Sequence, residues 1–92
     1  MSKVSIITAS YNYARYIGET IESVINQTFS DWEMLVVDDG SKDNSVDVIN
    51  EYVQKDKRIK LLTHPNNENR GLVETLKSGI SEAKGEYIVF LE

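Results

Sequence analysis

The chain has 92 residues, a length that suits one domain and leaves no room for a second, and its 40% hydrophobic and 27% charged residues are the balance of a folded protein, not a disordered one. A net charge of -5, with the acids scattered along the chain, disfavours nucleic acid and anionic lipid as partners. The absence of cysteine excludes disulfides, a thiolate nucleophile and a thiolate zinc site, fits a reducing cytoplasmic setting, and leaves oxygen ligands for any metal.

Val4 to Thr8 is a short apolar run rich in β-branched residues, closed by Ala9-Ser10-Tyr11-Asn12, which predicts a buried strand opening into a polar loop. The run is too short and interrupted for a signal-peptide core, and nothing approaches the ~20 apolar residues of a membrane span. Ile17, Ile21, Val24 and Ile25 share one helical face, so a helix of about 14 residues follows the loop. The sequon-like Asn26-Gln27-Thr28 reads as the end of that helix.

Met34 to Val37 is a second apolar run, stopped by Asp38-Asp39-Gly40-Ser41, and a continuous run of this kind suits a sheet covered on both faces. Ser41, Asp43 and Asn44 are competent N-caps for a second helix that carries Val46, Ile49 and Val53 and runs to about Lys55. Ile59 to Thr63 is the third strand, ended by Pro65 and the turn-rich Asn66 to Gly71. Leu72, Leu76, Ile80 and Ala83 mark a third helix with Gly79 a weak point inside it and Gly85 as C-terminal cap, and Tyr87 to Leu91 form a fourth strand. This alternation predicts an α/β fold: three α/β/α layers around a mainly parallel four-stranded sheet.

Ligands of open parallel sheets bind beyond the carboxyl ends of the strands, where loops and helix N-termini collect. The polar groups expected there are Thr8, Ser10, Tyr11, Asn12, Asp38, Asp39, His64 and Glu92. Adjacent carboxylates after an apolar run need water, a metal or hydrogen-bond donors, so Asp38 and Asp39 either cap and shape the following turn or accept from a bound nucleobase or ribose. Only one of the two can point into the crevice. Tyr11 either stacks on a base or closes its loop on the core. His64 has no second histidine or cysteine to pair with and reads as a strand-end residue. No G-x-G-x-x-G, P-loop or G-x-S-x-G segment is present, which disfavours dinucleotides, ATP and covalent hydrolysis.

Four blocks, Val4 to Asn12, Ile21 to Phe29, Val36 to Ser41 and Gly85 to Ile88, together resemble family 2 glycosyltransferases of the GT-A fold. The resemblance covers essentially the whole chain and implies that residues 1–92 are the Rossmann-like, nucleotide-binding part of such a domain, cut before its Asp-x-Asp motif. It implies inverting sugar transfer from a nucleoside diphosphate sugar, often a UDP-sugar, with Mg or Mn bridging the diphosphate. By the same resemblance Ala9, Ser10, Tyr11, Asp38, Asp39, Asn69 and Arg70 are the nucleotide-binding residues. Tyr11 lies at the base-stacking edge, and Asp39 accepts the N3–H of a uracil.

The chain departs from the family at three places. Ala9 stands where proline is usual, Leu76-Lys77 where many members carry Arg-Asn, and Glu92 where the first acid of the metal motif falls. The second acid and the catalytic base are not among these 92 residues, which alone are expected to bind nucleotide without transferring sugar. Two competing readings are a receiver-like signalling domain, which needs a further strand-end aspartate and a lysine, and a non-catalytic module that only binds a nucleotide or associates with another chain, self-association through the exposed sheet included.

Overall fold

The computed structural model describes residues 3–91; Glu92 lies outside them. In chain order the elements are β1 (Val4–Ser10), α1 (Ala14–Ile25), β2 (Trp32–Asp38), α2 (Ser45–Lys55), β3 (Ile59–Thr63), a 3-10 turn (Pro65–Asn67), α3 (Leu72–Glu82) and β4 (Tyr87–Phe90). The four strands are parallel, in the order β3-β2-β1-β4. The expected α/β architecture is therefore present. β1 extends beyond its apolar run at the carboxyl end and β2 at both ends, because the pairing Val4↔Trp32 through Ser10↔Asp38 carries the ladder that far.

Strand order separates two of the readings above. A receiver-like domain has the flavodoxin-type order with β1 between β2 and β3, whereas here β1 lies between β2 and β4, the Rossmann-type order. The receiver reading is thereby corrected. The same order puts the reversal of strand progression between β1 and β4, the place where open α/β sheets bind ligands.

All seven residues of β2 are buried, as expected for a strand covered on both faces. Trp32, Met34 and Val36 pack with Ile17, Ile21 and Val24 of α1, Ile49 of α2 and Ile59 of β3 in one core. At roughly 1.5–3 kcal/mol for each large apolar side chain fully buried, this layer supplies most of the driving force for folding.

The opposite face is covered by α3, and there the expected stripe needs correction. Thr75 and Gly79 are the buried residues of α3, while Leu72 and Ile80 are exposed. The helix lies so close to the sheet that a Cβ on Gly79 would come within 2.6 Å of Ile7 Cγ2 and 3.3 Å of Val37 Cγ2. Gly79 is a contact point, not a weak point. The helix ends at Glu82, with Ala83 in extended conformation, so Gly85 is not its cap. Gly85 instead approaches β1, where its amide donates to Ser5 Oγ at 2.8 Å and a Cβ would sit 2.7 Å from Ser5 N.

The amino end of the sheet is tied by Glu33, which no apolar pattern reveals. Its Oε2 accepts from Ser5 Oγ and the Lys84 amide, both at 2.6 Å, and Lys60 Nζ lies 3.6 Å from Oε1. Burial pushes the carboxyl up, and the Ser5 hydroxyl, the Lys84 amide and the Lys60 ammonium together hold it below the ordinary glutamate value. A lowered folded-state pKa gives stability that is complete above the unfolded value and is lost as pH falls through the folded one. Glu33→Ala is expected to cost about 2–3 kcal/mol in urea unfolding at neutral pH, because it leaves buried donors unpaired. The difference from wild type should shrink under acid; a constant difference down to the acid transition would contradict this assignment.

Candidate nucleotide site

Two loops at the carboxyl edge are stitched to each other. Asn12, in the left-handed region at φ 50°, donates its amide to Ser41 Oγ at 2.8 Å and accepts the Lys42 amide on Oδ1 at 2.7 Å. The Tyr13 amide donates to Ser45 Oγ at 2.9 Å. Asp43 accepts the amides of Ala14 at 3.2 Å and Ser45 at 2.9 Å, and also the Ser45 hydroxyl. One carboxylate thus serves the amino ends of α1 and α2, where negative charge is favoured. The Ser45 hydroxyl foremost, with the amides of Ser45 and Ala14, holds the Asp43 carboxyl below its ordinary value.

The two adjacent aspartates divide the work. Asp38 accepts the Ser41 amide at 2.9 Å and the Ser41 hydroxyl at 2.5 Å, so both its oxygens shape the turn. Asp39 points toward the start of α3. Its Oδ1 accepts the Arg70 amide at 2.7 Å, its Oδ2 accepts the Gly71 amide at 3.1 Å, and its carbonyl accepts Asn69 Nδ2 at 3.0 Å. Gly40, at φ +76°, lets the 67–69 loop close against it. The chain therefore brings Asp39, Asn69 and Arg70 together.

His64 belongs to this cluster, against the sequence-based expectation of an isolated strand-end residue. It is buried, with Nε2 3.0 Å from Thr75 Oγ1 and 3.2 Å from Asp39 Oδ1. Neither Thr75, inside an amphipathic helix, nor a lone histidine beside proline carries a pattern that would announce the pairing; only the packing of α3 on the sheet makes it.

Beside the cluster, a cavity of 320 Å³ opens over the carboxyl ends of β1 and β4 against the first turns of α3, lined by Ile7, Ala9, Tyr11, Tyr13, Leu72, Leu76, Phe90 and Leu91. Ala9 and the half-exposed ring of Tyr11 lie on its wall. Ser10 meets the rim through its backbone, since its carbonyl accepts the Asp39 amide at 2.8 Å and its buried hydroxyl has no partner. Asp39 lies next to this cavity and not on its wall. The Arg70 guanidinium pairs at the surface with Glu68 at 3.0 Å, a contact of small energetic weight.

Metal binding finds little to use here. Among the described residues there is no cluster of three or more histidine, aspartate or glutamate side chains able to hold an ion. Both oxygens of Asp38 are held by Ser41, and Asp39, whose oxygens each already accept a backbone amide from Arg70 or Gly71, has no second free carboxylate beside it to share an ion. These residues do not fit a divalent cation, and the expected metal position at Glu92 lies outside the described residues.

Residues 5–92 match the sequence description of glycosyl transferase family 2. The chain belongs to this family. A Haemophilus influenzae protein described as an uncharacterized glycosyltransferase is 38% identical over 92 residues, which is all of this chain and 36% of that protein. The structure of Staphylococcus aureus TarS 1-349 in complex with UDP superposes with a TM-score of 0.87 at 29% identity, over 97% of this chain and 26% of that one. The mannosyltransferase PcManGT of Pyrobaculum calidifontis, solved with GDP-Man and Mn2+, shares the fold with a TM-score of 0.85 at 24% identity, over 94% of this chain and 26% of that one. The chain spans about a quarter to a third of the lengths of the curated glycosyltransferases most similar to it, such as 36% of the Haemophilus influenzae protein and 24% of a Borreliella burgdorferi cholesterol galactosyltransferase. No helix among the described residues is long and apolar enough to cross a membrane.

Proposed function

We propose that this chain is the base-reading part of a glycosyltransferase that moves a sugar from a nucleoside diphosphate sugar, with UDP as the matched nucleotide, to an acceptor. The carrying observation is the state of the Asp39 carboxylate. A carboxylate offers about four acceptor positions. Two on Oδ1 face the Arg70 amide and His64 Nε2, and one on Oδ2 takes the Gly71 amide. One acceptor position remains on Oδ2, on a side chain that keeps 9% of its surface open. Uracil presents an N3–H donor that such an acceptor satisfies; the Watson–Crick edge of adenine presents an unprotonated ring nitrogen there and repels it.

The cavity beside Asp39, with Tyr11 on its rim, supports the base-stacking role, and the UDP complex of TarS supports the nucleotide class. In this reading Ala9 and Ser10 give the rim its backbone shape, Asp38 holds the turn that presents Asp39, and Asn69 and Arg70 border the nucleotide. Transfer itself, an inverting displacement at the anomeric carbon, needs a base and Mg or Mn ligands that residues 3–91 do not supply. That part of the proposal rests on family membership, as does a cytoplasmic site of action. Isothermal titration of the chain with UDP, GDP and ADP is the test. A mismatched acceptor costs about 1–3 kcal/mol, so UDP is expected to bind on the order of 10–100-fold tighter than ADP. Equal affinities would overturn the reading.

A second reading has its own observation. β4 is an edge strand whose four residues are all exposed, by 42% to 60%. An apolar edge of this kind pairs with another strand when one is offered. The 92-residue chain is therefore expected to self-associate through β4, giving a mass above the monomer in light scattering that falls on dilution. A monomer at every concentration would reject this.

A further inference from the structure

We infer that His64 is a positioning residue for base recognition: its Nε2–H edge, anchored on Thr75 Oγ1, sits 3.2 Å from Asp39 Oδ1 and attracts that oxygen, leaving Oδ2 as the atom offered to the nucleobase. This rests on the assignment of Asp39 as base reader and extends it to a residue outside the loops that surround the nucleotide.

The proton on His64 follows from its neighbours. Thr75 Oγ1 donates its single proton to the Gly71 carbonyl at 2.7 Å, one turn back along α3. It therefore faces His64 Nε2, 3.0 Å away, with a lone pair. The Asp39 carboxylate, 3.2 Å from the same nitrogen, can only accept. An unprotonated Nε2 would set lone pair against lone pair on both sides in a buried pocket. Nε2 thus carries a hydrogen, bonded to Thr75 Oγ1, and this N–H edge lies against Asp39 Oδ1, 3.2 Å from the nitrogen.

The consequence is geometric. The other two side-chain contacts of Asp39 are amides of consecutive residues, Arg70 and Gly71, in one exposed loop. A carboxylate held by that loop alone turns as the loop moves. His64 is buried at the end of β3, and Thr75 is fully buried where α3 meets the sheet. Together they supply a third point of attachment that belongs to the scaffold. It fixes the rotation of the carboxylate, and with it the direction of the free lone pair on Oδ2.

Two substitutions separate donation from packing. His64→Gln keeps an N–H donor the same number of bonds from the backbone, while His64→Leu keeps apolar bulk and removes the donor. The UDP and ADP affinities of the chain, by titration, are the readout. The UDP preference is expected to fall about tenfold in His64→Leu and to stay within about twofold of wild type in His64→Gln. Full preference in the leucine variant, with loss in Asp39→Ala, would overturn the role of His64 alone. Loss in both His64 variants would also overturn it, since donation would then not be what matters. Absence of any preference in wild type would overturn the Asp39 assignment and this inference with it. Long-range 1H–15N spectra of the wild-type chain test the same point without a substitution: a proton bound to Nε2 is expected, and a bare Nε2 would contradict the proposal.

Discussion

Gly40→Ala is expected to destabilise the chain by about 2–5 kcal/mol, the sum of a left-handed backbone, which costs an L-residue about 1–2 kcal/mol, and overpacking worth about 1–3 kcal/mol. The first part follows from φ +76°. The second follows from three backbone atoms of the facing loop, Asn69 N at 2.7 Å, Asn67 O at 2.8 Å and Glu68 C at 2.8 Å from the position of the new Cβ. Backbone cannot step aside as the end of a flexible side chain can. Against a total stability of about 5–15 kcal/mol for a small domain, and at about 4–8 °C per kcal/mol, the melting temperature should drop by at least ~8 °C. A Gly40→Ala variant melting within ~4 °C of the wild type would contradict the close approach of the 67–69 loop as what that glycine accommodates.

This loop contact explains why part of the site is legible in sequence and part is not. The strands β2 and β3 announce themselves as apolar runs, and the abrupt Asp38-Asp39-Gly40-Ser41 stop marks a strand end with turn chemistry. Which aspartate turns inward is not written in the run itself. It is settled by Ser41, which takes both oxygens of Asp38, and by the amides of Arg70 and Gly71, which take Asp39. These partners lie up to 32 residues away and are brought near only when β3 and α3 dock.

The misread elements have the same origin. α3 looks amphipathic through Leu72, Leu76 and Ile80, yet the sheet accepts it on Thr75 and Gly79, because a glycine permits an approach that a leucine stripe would hold off. Glu33, between Trp32 and Met34, has no signal of its own in the pattern, and its role comes from the Lys84 amide and Ser5 closing over it. His64 looks solitary because its partners, Asp39 and Thr75, come from other elements. Local pattern reports element type well. It is silent on contacts made across layers.

Asp39→Ala carries the second large effect, and it is one of specificity more than of fold. The substitution releases the amides of Arg70 and Gly71, but these lie in an exposed loop where water replaces the lost acceptor. The folding cost should therefore stay near 1–2 kcal/mol. Nucleotide discrimination has no such substitute, since water at that position accepts and donates with equal ease. Titrating wild type and Asp39→Ala with UDP and ADP side by side measures this directly. The UDP advantage, on the order of 10–100-fold in wild type, is expected to shrink to within about twofold in the variant. A UDP preference that survives the loss of the Asp39 carboxylate would contradict the account.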